Sequence, residues 1–422
     1  MNAQTLKKRL AAGGADSQLA ALYGGKTGKA VARCKELINR FVDAYGDREE
    51  LHIFSAPGRT EIGGNHTDHN GGLVLAAAVN LDTLAVAAQS PLPIVRVQSA
   101  GHPENLVMLG DLNAQEHERN SANALVRGVC AYFSQCDKPV GGFDAVTASD
   151  VLLGSGLSSS AAFSVLIGVI LDNLYGSGQC DPIELAMAGK FAENRYFGKP
   201  SGMMDQTVSA HGGLVLIDFG ARGAAPVIRR LDCDLSAFKH TLCIAGPIGS
   251  HADLIGEYAA VTHEMEMVSA HFGRKRLREV DEKAFESALP ALYGKVPDRA
   301  ILRAMHFFAE NSRVLTQTEA LTAGDFPRFL SMVRRSGRSS FMYLQNVIHG
   351  QEEGLALALA LSERLLDGDG ATRVHGGGFA GTIQAFVPTE KLDAYITGME
   401  RVLGTGICQP VKIRPVGATM II

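Results

Sequence analysis

Apolar residues recur along this chain with two different periods, and the stretches where the period changes are rich in glycine and in chemically active side chains. Phe143, Ala145 and Thr147 alternate with other residues as in a half-buried strand, whereas Phe163, Leu166, Ile167, Ile170, Leu171 and Leu174 return at the spacing of one helix face. The glycine-serine run from Gly154 to Ala162 therefore sits where a strand feeds a helix N-terminus. Further upstream, residues 1–50 pattern as two polar amphipathic helices, and the apolar run Leu73 to Val79 follows a glycine-rich loop, 55–72, flanked by strands. A second helix is announced by the capping residue Asp181, with Pro182 at its first position and the acid Glu184 at its third, and is closed by Gly198 and Pro200. Strands are predicted over 214–219 and 241–245. Beyond about residue 225 long helices dominate, over 252–272, 299–321 and 327–347, before a last strand at 382–387. No internal repeat or low-complexity tract interrupts this order.

A chain of 422 residues exceeds one hydrophobic core of ordinary size, so two packed domains are expected, over residues 1–225 and 226–422. The 40 basic and 44 acidic residues leave a net charge of -4 with no basic tract, which argues against nucleic acid or an anionic membrane as partner and for small-molecule substrates. Seven cysteines, odd in number and without a Cys-x-x-Cys pair, suggest neither a disulfide framework nor a zinc site. No apolar run is long enough to cross a bilayer, and Lys7, Lys8 and Arg9 are not followed by one. These features place the protein in the reducing cytoplasm. Oligomeric state is not encoded in any of them.

Four stretches carry candidate chemistry. In the first, glycines let the main chain approach an anion at a helix N-terminus, where free N–H groups and the dipole favour phosphate, and Ser158, Ser159 and Ser160 add hydroxyls for phosphate oxygens or a divalent cation. The competing reading is a turn whose serines only cap the helix. Gly25-Lys26-Thr27 resembles the end of a Walker A loop but has Ala20 where that motif needs glycine. The second stretch, 55–72, gathers Arg59, Asn65, His66, Asp68 and His69, a set able to bond adjacent hydroxyls of a polyol. A metal reading of His66, Asp68 and His69 lacks the histidine that the hydrolase pattern needs at Gly64. Third, Glu193 lies near the C-terminal end of its helix, where the dipole disfavours an acid unless a cation is near, and Asp205 is flanked by apolar methionines. Last, Gly376, Gly377 and Gly378 stand beside a strand, consistent with a tight hairpin or with close backbone approach to a ligand.

Together these stretches resemble, in order, the motifs of the GHMP small-molecule kinases. The run from Gly58 to Gly72 is most similar to the signature of the galactokinase branch, Gly-Arg-x-Asn-x-Ile-Gly-Glu-His-Thr-Asp-Tyr-Asn. The resemblance spans most of the chain, with weaker echoes at His251, Tyr258, Arg303, His306, Glu310 and Arg313. It implies a two-domain α+β fold: an N-terminal mixed-sheet domain with the phosphate loop at a helix N-terminus, and a helix-rich C-terminal domain. It also implies transfer of the γ-phosphate of ATP to C1 of galactose, with Mg²⁺. By the same resemblance Gly154, Ser155, Gly156, Leu157, Ser158, Ser159, Ser160 and Ala161 wrap the ATP phosphates, and Ser160 and Glu193 hold Mg²⁺. Asp205 and Arg59 are the catalytic pair, Asn65, His66, Asp68, Gly202 and Tyr258 contact the sugar, and the glycines at 376–378 support the nucleotide pocket. The chain departs from the signature at Glu61, for asparagine, at Gly63, for an apolar residue, at Asn65, for the sugar-binding glutamate, and at His69, for tyrosine; Ala380 replaces a glycine of the third motif. Because Asn65 touches the substrate contacts, a kinase of another sugar, N-acetylgalactosamine or arabinose, stays open beside the galactose reading. A non-catalytic sugar sensor and a metallohydrolase are the readings from other classes.

Overall fold

The computed structural model describes residues 1–25, 27–151, 156–199, 201–220, 225–248, 254–350 and 352–422. Three helices, α1 (Ala3–Ala11), α2 (Asp16–Tyr23) and α3 (Gly28–Tyr45), open the chain. The sequence pattern predicts two; the break at Gly13 and Gly14 and the left-handed Gly24 divide the segment further. Strands β1 (His52–Gly63) and β2 (Leu73–Gln89) follow, then β3 (Ile94–Ser99), β4 (Glu104–Met108), α4 (Ala122–Gln135) and β5 (Phe143–Ser149). The expected loop over 55–72 is thus shorter than its composition suggested, because the chain stays extended against β2 as far as Gly63. Next come α5 (Ser159–Tyr175), α6 (Pro182–Phe191), a π-helical turn (Ala192–Phe197), α7 (Met204–His211), β6 (Leu214–Asp218) and β7 (Val227–Leu231).

The remaining elements are β8 (His240–Ile248), α8 (Ile255–His271), α9 (Glu282–Leu292), α10 (Asp298–Thr322), α11 (Phe326–Ser339), a second π-helical turn (Ser340–Leu344) and α12 (Gly354–Leu366). After them β9 (Ala371–His375), β10 (Gly381–Pro388), α13 (Leu392–Leu403), β11 (Cys408–Val411) and β12 (Thr419–Met420) complete the chain. One sheet runs β12-β1-β2-β5-β3-β4, with β6 on the other half of the long β2 and β7 beside β6. It is mixed, since β3 and β5 are parallel and the other neighbours antiparallel. The second sheet is antiparallel, β11-β8-β10-β9. Both β7 and β12 belong to the first sheet although they follow residue 225, so the chain returns across the expected boundary.

Strand β5 is buried on both faces rather than half-buried. Ala145 packs with Phe54, Ala85 and the helices α4 and α5, while Val146 faces Ile53, Leu84 and the helices α1 to α3. The N-terminal helices therefore cover a face that alternation alone would assign to solvent. A further cluster joins the halves, with Ile62, Leu75 and Leu214 of the first sheet against Leu242, Phe329 and Phe386 of the second layer. That shared core brings β1, α10 and the β9–β10 turn together. Among the described residues no helix is long and apolar enough to cross a membrane.

Candidate active site

The first turn of α5 forms one wall of the site. No side chain caps this 17-residue helix, and Ser158, its N-cap, is held in the left-handed region at φ 61. Ser158, Ser159 and Ser160 are partly exposed there, while Leu157 and Ala161 are buried. The Leu157 carbonyl accepts from the Arg59 amide at 3.0 Å, which fixes the loop to β1. Gly156 has φ 69, and a Cβ there would lie 2.4 Å from Thr382 Oγ1, so the loop also presses on β10. Gly154 and Ser155 of the cradle lie outside the described residues, as do Lys26, Pro200, Gly249, His251 and Ala252.

Glu193 is buried, not a solvent-facing end of its helix. The π-helical turn after α6 carries it to the α5 N-terminus, where Ser160 Oγ donates to its Oε1 at 2.5 Å and Gln206 Nε2 to its Oε2 at 3.0 Å. Lys199 Nζ stands 3.9 Å from the same Oε2. Gln206 Oε1 is buried without a partner beside this group. Two hard oxygen donors in contact, with an orphaned amide oxygen near them, fit a small divalent cation.

Asp205 lies in the first turn of α7, a helix not foreseen from the sequence, where its charge meets a favourable dipole end. Arg59 Nε donates to Asp205 Oδ1 at 2.6 Å, and Arg59 Nη1 donates to the Gly156 carbonyl. Burial pushes the Asp205 carboxyl up, but the Arg59 guanidinium, helped by Lys199, holds it down at about 2. One arginine thus ties the carboxylate to the phosphate loop.

The loop after β1 supplies the polyol-type groups. Its residue His66 adopts φ 57, and its Nε2 donates to the Gly377 carbonyl at 2.9 Å, leaving Nδ1 buried as an acceptor without a partner. Burial lowers the His66 pKa to about 3, so the ring is neutral. Tyr258 stacks on it, ring centroids 6.4 Å apart, and its hydroxyl donates to the Gly378 carbonyl at 3.2 Å. Asp68 lies 3.2 Å from His69 Nε2 and against the backbone of Gly202, where a Cβ would approach Asp68 Oδ2 to 2.0 Å. Gly202 is therefore a glycine because Asp68 occupies the space of its side chain.

Asn65 differs from the others. It is fully buried: Nδ2 donates to Glu61 Oε1 at 3.1 Å and to the Gly376 carbonyl at 2.7 Å, and Oδ1 accepts from Ser340 Oγ at 3.1 Å and Asn346 Nδ2 at 2.9 Å. Its own carbonyl accepts from His306 Nε2 at 2.9 Å. A side chain with both donors and its oxygen engaged has nothing left for a ligand, which corrects the expectation that Asn65 faces the substrate. The glycines at 376–378 make a further set of contacts beside the phosphate loop, where a Cβ at Gly376 would lie 3.9 Å from the Gly156 carbonyl oxygen. Their carbonyls receive Asn65, His66 and Tyr258, so the turn buttresses the loop after β1, and it is a hairpin as well, joining β9 to β10.

Beneath the loop, Glu310 accepts from the Gly64 amide at 3.1 Å, from Ser336 Oγ at 2.6 Å and from Arg313 Nε at 2.6 Å. Burial alone would raise its pKa, but Arg313, with His306 and Arg373, holds it well below the usual range. The echoes at His306, Glu310 and Arg313 are thus joined in one buried network under the loop. Arg373, Asn346, Lys199 and Gln206 carried no signal of their own in the sequence, although Gln206 adjoins Asp205 and Arg373 stands three residues before the glycine run. Among the described residues no group of three or more His, Cys, Asp or Glu gathers where it could hold a metal ion, and His66 Nε2 is spent on a carbonyl.

Comparison with known proteins gives the following matches. The model of the galactokinase galactose-binding signature matches residues 39–89, and that of the GHMP kinases N terminal domain matches residues 124–213. A galactokinase of Mannheimia succiniciproducens is 31% identical over 363 residues, covering 84% of this chain and 89% of that protein. A galactokinase of Glaesserella parasuis is 32% identical over 361 residues, covering 84% and 90%. Among solved structures, that of Lactococcus lactis galactokinase complexed with galactose superimposes with a TM-score of 0.80 at 23% identity, covering 92% of this chain and 99% of that one.

Proposed function

Because this chain belongs to the galactokinase family of GHMP kinases, we propose that it transfers the γ-phosphate of ATP to the C1 hydroxyl of galactose, giving galactose 1-phosphate and ADP. The observation that carries the reading is the contact of Arg59 with both Asp205 and the Gly156 carbonyl, which sets an ionised carboxylate beside an uncapped helix N-terminus. The ATP phosphates would lie on the loop through Gly156 to Ala161, on backbone N–H groups and the hydroxyls of Ser158 to Ser160. Ser160 and Glu193 would hold Mg²⁺, which neutralises phosphate charge when bound.

Phosphoryl transfer passes through a loose transition state, so positioning and charge matter more than covalent help. With a pKa near 2, Asp205 is a weak base that cannot remove a proton from a neutral hydroxyl at the outset. It orients the attacking hydroxyl and accepts the proton late, once the bond to phosphorus has made that proton strongly acidic. Arg59 keeps it ionised for this. Asp68 and the free Nδ1 of His66 would supply acceptors for sugar hydroxyls, with the backbone of Gly202 against Asp68 and Tyr258 stacked on His66.

Another sugar of the same reaction class, N-acetylgalactosamine or arabinose, is the second reading, since Asn65 presents no carboxylate where the signature has one. A sugar sensor without activity would not need Ser158 to Ser160 and Asp205 intact. The free cysteines, four of them buried, suit a cytoplasmic setting. ATP turnover against a panel of hexoses and pentoses, with the phosphorylated carbon identified by NMR, tests the proposal. Galactose should be the best substrate and glucose should be rejected. Asp205→Ala should lose several orders of magnitude in turnover while ATP still binds. Failure of every sugar, or near-normal turnover by Asp205→Ala, sinks the assignment.

A further inference from the structure

Relative to the family signature, an acid and an amide have changed places in this chain: Glu61 stands for asparagine and Asn65 for glutamate. The structure shows the two positions in direct contact. Glu61 Oε1 accepts from Asn65 Nδ2 at 3.1 Å and from Arg373 Nη2 at 2.5 Å, and Arg373 Nη1 donates to the Ile62 carbonyl at 3.0 Å. Asn65 Nδ2 is shared between Glu61 and the Gly376 carbonyl, so the chain of bonds runs from β9 through β1 to the glycine turn that also receives His66 and Tyr258. Arg373 and Asn65 are fully buried and Glu61 nearly so.

Either change alone would be penalised. A carboxylate at 65 beside the carboxylate at 61 would put like charges in contact, with the Gly376 carbonyl, a third acceptor, next to them and all three buried. An amide at 61 beside the amide at 65 would leave the buried Arg373 guanidinium without its bonded carboxylate, with only the more distant Glu310 to offset its charge. Changed together, the site keeps one acid, one amide and one arginine. The acceptor bonds from Ser340 and Asn346 to position 65 suit a carboxylate as well as an amide oxygen.

We propose that Glu61 and Asn65 act as one coupled acid-amide unit that seats the substrate loop on the β9–β10 glycine turn, so that acid and amide can exchange positions as a pair while neither tolerates exchange alone. The unit positions His66 and Tyr258 and does not itself touch the sugar. This rests on the proposed galactose kinase reading for its kinetic consequence but not for its structural one.

The test compares Glu61→Asn, Asn65→Glu and the double variant in the full-length chain, by melting temperature without substrate and by separate KM values for galactose and ATP. Each single variant should melt lower and raise the galactose KM by about tenfold or more, with the ATP KM within about twofold. The double variant should recover at least half of each loss. Should the single variants prove insoluble, a soluble double variant supports the unit and an insoluble one overturns it. A double variant no better than the worse single, or single variants with unchanged melting temperature and galactose KM, overturns it too. A parent that does not phosphorylate galactose counts against the proposed function, and the melting temperatures then decide the pair by themselves.

Discussion

At Asp205 two large effects oppose each other, and Arg59 decides the outcome. Removal of the guanidinium leaves burial opposed only by the weaker influence of Lys199 and Ser158, so Arg59→Met should raise the Asp205 pKa from about 2 toward and beyond its ordinary 3.8. The sign follows directly: in the parent the carboxylate is ionised at every pH above about 2, and kcat/KM should show no acid limb from this group in the usual assay range. In Arg59→Met an acid limb should enter that range, on top of a lower plateau. A pH profile of kcat/KM with unchanged shape would show that Asp205 does not act as an ionised group. Glu193 offers a second residue-scale check. If it completes the Mg²⁺ shell with Ser160, Glu193→Gln should raise the Mg²⁺ concentration giving half-maximal rate and lower turnover, because an amide is a poorer ligand for a hard cation. An unchanged Mg²⁺ dependence would make the Ser160 bond merely structural.

Whole elements explain why these residues meet. The π-helical turn after α6 delivers Glu193 to the start of α5, a use of an irregular turn common at functional sites. The β9–β10 turn offers the carbonyls of Gly376 and Gly377 to the loop after β1 and that of Gly378 to Tyr258 on α8; Gly376 is required by its φ of 66, and Gly377 and Gly378 by close contact. At Gly377 a Cβ would lie 2.3 Å from Tyr258 Cε1. Gly377→Ala should therefore displace Tyr258 and loosen His66, raising the galactose KM by about tenfold while the ATP KM stays nearly constant, since the loop is shifted and the α5 N-terminus is not. Equal changes in both KM values would mean that the turn supports the whole cleft and not the substrate loop in particular.

Across the whole molecule, the chain ends are tied to the catalytic half by one buried carboxylate. Asp82 on β2 accepts from the Tyr23 hydroxyl at 2.6 Å, Arg33 Nη1 at 2.6 Å, Arg414 Nη1 at 3.2 Å and the Ser55 hydroxyl, joining α2, α3, β1 and the segment before β12. Arg33 keeps Asp150 at 3.0 Å if Asp82 is lost, but Arg414, fully buried, keeps no carboxylate among the described residues. Asp82→Ala should cost about 3–5 kcal/mol, the usual penalty for breaking a buried pair from one side. Denaturant unfolding would read this, and a loss below about 1 kcal/mol would show that the cluster is not what fastens the N-terminal helices.

Several features of this protein were determined by the sequence within a few residues of where they act. Asp181 and Pro182 start a helix because the capping side chain and the fixed proline φ satisfy the first turn locally, and Asp181 Oδ1 does accept from the Ile183 amide at 2.8 Å. The glycine-serine run before α5, the order of the motifs and the mixed α+β class were likewise legible, since period and turn chemistry do not depend on distant partners. Tertiary structure alone decided what each polar side chain does. Arg59 and Asp205 meet across 146 positions, and the Asn65 amide is spent on Gly376, 311 positions away, and on Asn346. Local spacing could place Asn65 in a polyol-type loop but not reveal that its hydrogen bonds were already taken. Burial on both faces of β5 was hidden for the same reason: alternation records one packed face, and the helices covering the other are brought there by the fold. Local signals arise from backbone conformations a few residues long, whereas burial and hydrogen-bond satisfaction depend on segments that only the folded chain brings together.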